Sequence, residues 1–196
     1  MTAEKNESPA FMPDRKKILA ISGSTRQSSA NLNLIKAIID FSADKLDIKI
    51  FQGLSDIPHF NPDLDTDNPP GNIADFRRQL NDADGILICT PEYAMGVPGT
   101  LKNAIDWTVS SNEFFHKPVA LITASSSGQK GHLSLIETLK IIESDIPDDS
   151  QLLISFVKTK VSNDGKITDA ETREQIKKLV ASLMKTIDNK MKPGEE

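Results

Sequence analysis

Between an apolar run ending at Ser22 and a helical stripe beginning at Leu32 lies the segment Gly23-Ser24-Thr25-Arg26-Gln27-Ser28-Ser29-Ala30-Asn31. Its residue types suit an anion. The hydroxyls of Ser24, Thr25 and Ser29 donate hydrogen bonds, Arg26 supplies charge, Gly23 lets the backbone turn sharply, and the unpaired N–H groups of a helix start point outward. A phosphate monoester matches that donor set. On spacing alone a Ser-rich N-cap on an ordinary strand-to-helix turn matches it equally, since capping residues look alike in both settings. Two better-known phosphate loops are excluded: there is no Gly-Lys-Ser/Thr ending and no G-x-G-x-x-G. The run after it ends in Phe51-Gln52, without the carboxylate that would clamp an adenosine ribose.

A second segment, Pro91-Glu92-Tyr93-Ala94-Met95-Gly96-Val97-Pro98-Gly99, opens a helix that carries Leu101, Ala104, Ile105 and Trp107. Two prolines and two glycines make it stiff, and Pro98 is placed to start the helix. Tyr93, the one tyrosine of the chain, offers an aromatic edge to a planar ligand while loop amides bond its polar rim. Trp107 reads as core or subunit interface, and Lys102, Asn103 and Asp106 as a solvated helix face or local hydrogen bonds.

Other chemistry is poorly served. His59, His116 and His132 are scattered and read as surface or loop residues, with His132 nearest the third loop described below. There is no G-x-S-x-G elbow. Cys89, the single cysteine, ends a buried run and reads as a small core hydrophobe. The acidic stretch holding Asp56, Asp63, Asp65 and Asp67 lacks the glycine and closing glutamate of a calcium loop and reads as solvated. No metal site is expected.

These segments must be positioned by an alternation of elements. Short apolar runs at 17–22, 47–51, 85–90, 119–124 and 152–157 have strand length. Between them lie helical stripes: Leu32, Ile35, Ile38 and Ile39; Ile73, Phe76 and Leu80; Ile136, Leu139 and Ile142; and a long stripe from Ile176 to Ile187, opened by a Thr168-x-x-Glu171 capping box. Strands apolar on both faces alternating with amphipathic helices predict an α/β, flavodoxin-like three-layer sandwich with a five-stranded parallel sheet, order 2-1-3-4-5. Ligands of such sheets bind beyond the carboxyl ends of the strands where the order reverses, which selects the loops after the first, third and fourth strands. One domain over 15–190 is expected, with a flexible tail at 1–14 and another at 191–196.

The 196 residues carry 23 Lys plus Arg against 28 Asp plus Glu, a formal charge of −5. That balance argues against nucleic acid or anionic membrane as partner, and no apolar run reaches the roughly 20 residues a membrane span needs. The single cysteine excludes an intramolecular disulfide framework and suits the cytoplasm.

GSTRQSSAN and PEYAMGVPGTLKNAIDW, in that order, resemble the NAD(P)H-dependent FMN reductase family of flavodoxin-like proteins, which includes quinone, azo-dye and chromate reductases. The resemblance implies FMN as cofactor, with Ser24, Arg26, Ser29, Ala30 and Asn31 around its phosphate. Pro91, Glu92, Tyr93, Ala94 and Met95 would border the isoalloxazine ring, and Ser125, Ser126, Ser127 and Gly128 would close its other side. Two positions depart from the family's pattern: Ala94 stands where Asn is common, and Lys130-Gly131 where a Gly-Gly pair is common. The implied activity is hydride transfer from NADPH or NADH through FMN to a small acceptor, whether quinone, azo compound, free flavin or metal oxyanion. No protein group need act as catalyst, because the flavin carries the hydride. A homodimer or homotetramer is implied as well, with the Trp107 helix and the long connection after the second strand as candidate interface and acceptor-pocket elements. The competing readings are a flavodoxin-type electron carrier, which the modest charge disfavours, and a flavin-binding module without turnover.

Overall fold

The side chains of three central strands alternate between two helical layers. These strands are β1 (Lys16–Ser22), β3 (Gly85–Thr90) and β4 (Val119–Ala124). Leu19, Ile21, Ile86, Ile88 and Leu121 face α2 (Gly71–Asp82), α3 (Gly99–Asp106) and α4 (Gln129–Ile141). Ile18, Ala20, Leu87, Cys89, Ala120 and Ile122 face α1 (Ala30–Ser42) and α5 (Ala170–Met191). A period-two strand buried on both sides has to be apolar throughout, which is why the runs at 85–90 and 119–124 contain no charge. With β2 (Leu46–Ile50) and β5 (Gln151–Ile154) as edges, the sheet is parallel in the order β2-β1-β3-β4-β5.

This computed structural model describes residues 15–26, 28–162 and 164–191. The expected tails lie outside those residues, except that Met191 closes α5. Among the described residues no helix is long and apolar enough to cross a membrane.

Two expected boundaries move. β5 stops at Ile154 instead of continuing to Val157, because Phe156 adopts a left-handed conformation (φ 55°) that no strand accommodates. The cap of α5 is Asp169, whose carboxylate accepts the Thr172 N–H at 2.8 Å. Thr168 turns away and donates to the Lys160 carbonyl at 3.1 Å, so the expected capping box does not form.

The connection after β2 is docked against α3. Trp107 is fully buried and donates its indole N–H to the Pro58 carbonyl at 2.9 Å, while Phe60 meets its ring edge-on at 5.1 Å. Asn103, expected on a solvated face, accepts from the Phe60 N–H at 2.8 Å and donates to the Pro58 carbonyl at 2.9 Å. Lys102 and Asp106 do pair locally, one turn apart. The acidic stretch is likewise not simply solvated. Asp65 is largely buried, 2.6 Å from the Arg77 guanidinium and 2.7 Å from the Ser110 hydroxyl that donates to it. Arg77 also donates to the Trp107 carbonyl and lies 3.9 Å from the buried Glu113.

Burial of Asp65 opposes its ionisation, but the hydrogen bonds from Ser110 and Arg77, with the Arg77 charge, hold its carboxyl below the usual value. A folded-state pKa below the unfolded one means the unfolded chain binds more protons. The contribution is therefore complete above the ordinary aspartate value of about 3.9 and is lost as pH falls through the lowered one. Arg77→Ala strands the half-buried carboxylate of Asp65 and the buried one of Glu113. It should cost about 3–5 kcal/mol in urea unfolding at neutral pH, with a smaller difference from wild type below about pH 4.

Candidate functional site

The loop after β1 is pressed against the ends of β3 and β4. Gly23 donates its N–H to the Cys89 carbonyl at 2.9 Å, and a Cβ at this position would come within 2.2 Å of the Thr90 hydroxyl. Glycine is thus required by close approach, and the backbone bends at this residue without a left-handed φ. Ser24 is buried and accepts the Arg26 N–H at 3.4 Å. Ser29 caps α1 by accepting the Leu32 N–H at 3.0 Å, and its carbonyl takes the Asn33 N–H. The N–H groups of Ala30 and Asn31 precede those and have no acceptor within the helix. The first turn carries no acidic side chain, so the positive end of the helix dipole is left for an external anion. Arg26 is exposed and, among the described residues, makes no ion pair. Gln27 lies outside the described residues.

Asn31, in the first turn of α1, turns inward. Its side chain is buried, donating to the Ala124 carbonyl at 3.1 Å and accepting from the Cys89 thiol at 3.5 Å. It ties α1 to the ends of β3 and β4, and only its main-chain N–H is left for an anion. Burial pushes the Cys89 thiol far above its ordinary pKa, in keeping with a core hydrophobe.

After β3, Pro91 is buried and residues 93–96 close a tight turn. Tyr93 and Gly96 exchange N–H···O bonds of 2.8 and 2.9 Å, with Ala94 at φ 48° and Met95 at φ 64°. Both central residues are left-handed, as in a type I′ turn. The turn presents Tyr93 (51% exposed) and Met95 (68%) to solvent.

Glu92 does something the sequence did not announce. Its carboxylate accepts the Gly131 N–H at 2.6 Å, capping α4, whose own N-cap Gly128 has no side chain to offer. A carboxylate at a helix start also gains from the dipole. Glu92, expected to border the ring, has its carboxylate engaged in joining the β3 loop to α4. Gly131 allows that contact, because a Cβ there would lie 3.0 Å from the Gly96 carbonyl oxygen. Of the Lys130-Gly131 pair, the second position is the one packing restricts, and Lys130 is exposed.

The loop after β4 is held from its far side. The carbonyls of Ser125, Ser126 and Ser127 accept from the Val157 N–H (3.1 Å), the Phe156 N–H (3.3 Å) and the Ser155 hydroxyl (2.9 Å). In a trans peptide the N–H points opposite to the carbonyl, so the amides of Ser126, Ser127 and Gly128 turn away from residues 155–157. Gly128 has φ 90°, and a Cβ would meet Leu153 at 2.8 Å. His132, expected at the surface, is buried with Nδ1 2.9 Å from the Thr123 hydroxyl, and burial lowers its pKa. Its neutral imidazole belongs to the underside of α4.

All three loops therefore converge at the carboxyl edge of β1, β3 and β4, where strand order reverses. The arrangement offers anion-binding N–H groups with Arg26 at one end and outward-turned loop amides beside an exposed tyrosine at the other. A phosphorylated, planar, polar-edged molecule fits that donor set.

Comparison with known proteins agrees. The family model described as NADPH-dependent FMN reductase matches residues 16–158. An NAD(P)H-dependent FMN reductase of Pseudomonas aeruginosa is 31% identical over 177 residues, covering 88% of this chain and 95% of that protein. A 2-hydroxy-1,4-benzoquinone reductase of a Burkholderia species is 32% identical, covering 82% and 90%. Among solved structures, the flavoenzyme NAD(P)H:(acceptor) oxidoreductase FerB of Paracoccus denitrificans superposes with a TM-score of 0.74 at 25% identity, covering 89% of this chain and 98% of that one.

The turn at 93–96 allows a direct check. An alanine in the left-handed region costs about 1–2 kcal/mol that asparagine largely avoids. Ala94→Asn should raise the stability of the cofactor-free protein by about 1 kcal/mol, read as a higher urea midpoint at unchanged slope.

Proposed function

This chain belongs to the NADPH-dependent FMN reductase family and is an oxidoreductase, and from that premise we propose that it uses FMN, held by the three loops, to pass hydride from NADPH or NADH to a small quinone-type acceptor. The observation that carries the proposal is the pair of donor sets facing one crevice: the α1 N-terminus with Arg26, and the amides of the β4 loop. FMN, when bound, supplies the redox chemistry, which explains why the crevice needs no acid or base of its own.

The protein's own contributions are binding and exclusion. Ser24, Arg26, Ser29 and the main-chain N–H groups of Ala30 and Asn31 hold the phosphate, where charge-assisted hydrogen bonds are the strong ones. Pro91, Tyr93, Ala94 and Met95 border the ring along one edge. The amides of Ser126, Ser127 and Gly128 bond its polar rim, with Ser125 anchoring that loop to β5. Glu92, through Gly131, keeps the two ring-side loops at a fixed separation. Because those donors are already oriented by the fold, little ordering entropy is lost on binding.

The exposed apolar side chains Val109, Phe115 and Ile141, around the carboxyl ends of α3 and α4, support assembly into a homodimer or homotetramer. Trp107 takes no part in that surface, being interior. The cytoplasm is the setting that the lone, buried thiol suits.

Arg26→Ala removes one charged donor from an exposed side chain, so the fold should persist while FMN affinity falls about ten- to a hundredfold, the equivalent of roughly 1.5–3 kcal/mol. Fluorescence titration with FMN measures this, and an unchanged Kd would remove the phosphate assignment. For the activity, anaerobic NADPH and then NADH should bleach the FMN-loaded protein, and quinone should restore its colour. Bound flavin that neither nucleotide bleaches would make the protein an electron carrier.

A further inference from the structure

Asn31 on α1 and Cys89 on β3 form a polar pair where the α1 layer meets the sheet, a region otherwise built from side chains such as Leu34, Leu87 and Ile122. Asn31 is 4% exposed and Cys89 is fully buried. A carboxamide in such a place costs free energy unless both of its ends are bonded, and here they are. The nitrogen end donates to the Ala124 carbonyl at 3.1 Å, an atom that can only accept, which leaves the oxygen end to take the Cys89 thiol as donor at 3.5 Å. Burial raises the pKa of that thiol and so keeps it protonated, and a donor, at neutral pH.

The pair matters for what it joins. Asn31 belongs to the first turn of α1, where its main-chain N–H has no acceptor within the helix, and Ala124 is the last residue of β4, directly before the Ser125 to Gly128 loop. Cys89 also holds the opening of the β1 loop, its carbonyl accepting the Gly23 N–H at 2.9 Å, so both ends of the segment 23–31 are fastened to one residue. Resting on the FMN reading above, we propose that the Asn31 carboxamide and the Cys89 thiol are positioning groups that fix the distance between the phosphate-holding start of α1 and the ring-side β4 loop, and thereby give the site its preference for FMN over the same flavin without phosphate. Neither side chain needs to touch the flavin, since each acts through the main chain it anchors. A spacing set before the ligand arrives spares ordering entropy, and only a ligand that engages both ends gains from it.

The test is fluorescence titration of the full chain, freed of flavin, with FMN and separately with riboflavin, for wild type, Asn31→Ala, Cys89→Ala and the double variant. The expected result is an FMN Kd about tenfold weaker in Asn31→Ala and about threefold weaker in Cys89→Ala, with the riboflavin Kd unchanged in both. Because the thiol acts through the carboxamide, Cys89→Ala should add nothing in the Asn31→Ala background. Equal weakening for the two flavins overturns the proposal and reduces the pair to general support of the loops. An FMN loss in Asn31→Ala with none in Cys89→Ala, or additive losses in the double variant, also overturns it by separating the thiol from the carboxamide. Should Asn31→Ala fail to fold, the ratio of the two Kd values in Cys89→Ala decides alone. A wild-type protein that binds neither flavin, or both equally, would instead remove the reading on which the proposal rests, and the proposal with it.

Discussion

A parallel strand covered on both faces ends in main-chain groups that its ladder can no longer pair, and at the carboxyl edge of this sheet those groups are buried too deeply for water. The loops exist in their observed form because they satisfy them. Gly23 reaches the Cys89 carbonyl, the Asn31 amide reaches the Ala124 carbonyl, and the Ser125 N–H reaches Ile154 across the β4–β5 gap. Leaving one such group unpaired would cost about 1–3 kcal/mol, so the hydrogen bonding of the strand ends dictates where the crevice walls stand.

From that constraint the binding surface follows as its reverse side. Once the β4-loop carbonyls are taken up by residues 155–157, peptide planarity sends the following amides the other way. Once Ser29 caps α1 without an acidic neighbour, the first N–H groups of that helix remain open to an anion. Glu92 then links the β3 loop to α4, so the walls form one unit instead of three independent loops. Ala94 and Met95, two of the six non-glycine residues with a left-handed backbone among the described residues, lie on this rim, in a turn closed by the hydrogen bonds between Tyr93 and Gly96.

A second layer of support comes from outside the sheet. The connection after β2 is held to α3 by Trp107, Asn103 and the Arg77–Asp65 pair, so a proline-rich acidic segment becomes a fixed flank of the molecule. Its polar contacts are mutual: the half-buried Asp65 carboxyl is held below its usual pKa because Ser110 and Arg77 face it, and the half-buried Arg77 is received by Asp65, Glu113 and the Trp107 carbonyl.

By itself the sequence determined the alternation of elements, the parallel sheet with its order, and the three loops to inspect. Those features follow from composition and period, which are local properties: runs such as GILICT and VALITA can hardly be anything but strands buried on both faces. The paired loop motifs carried the family as well. Tertiary structure alone decided which way each loop residue turns. Asn31 and Ser29 are both polar residues at a helix start, yet one is drawn inward by the ends of β3 and β4 and the other caps its own helix. Glu92 and Gly131 lie 39 residues apart and meet only because two loops fold together. Thr168 and Asp169 both match a cap, and only the geometry of the chain entering α5 chose between them. Phe156 looked like the end of a strand because an apolar run carries no record of its backbone angle. Side-chain direction depends on long-range hydrogen bonds and close packing, which a linear pattern of residue types does not encode.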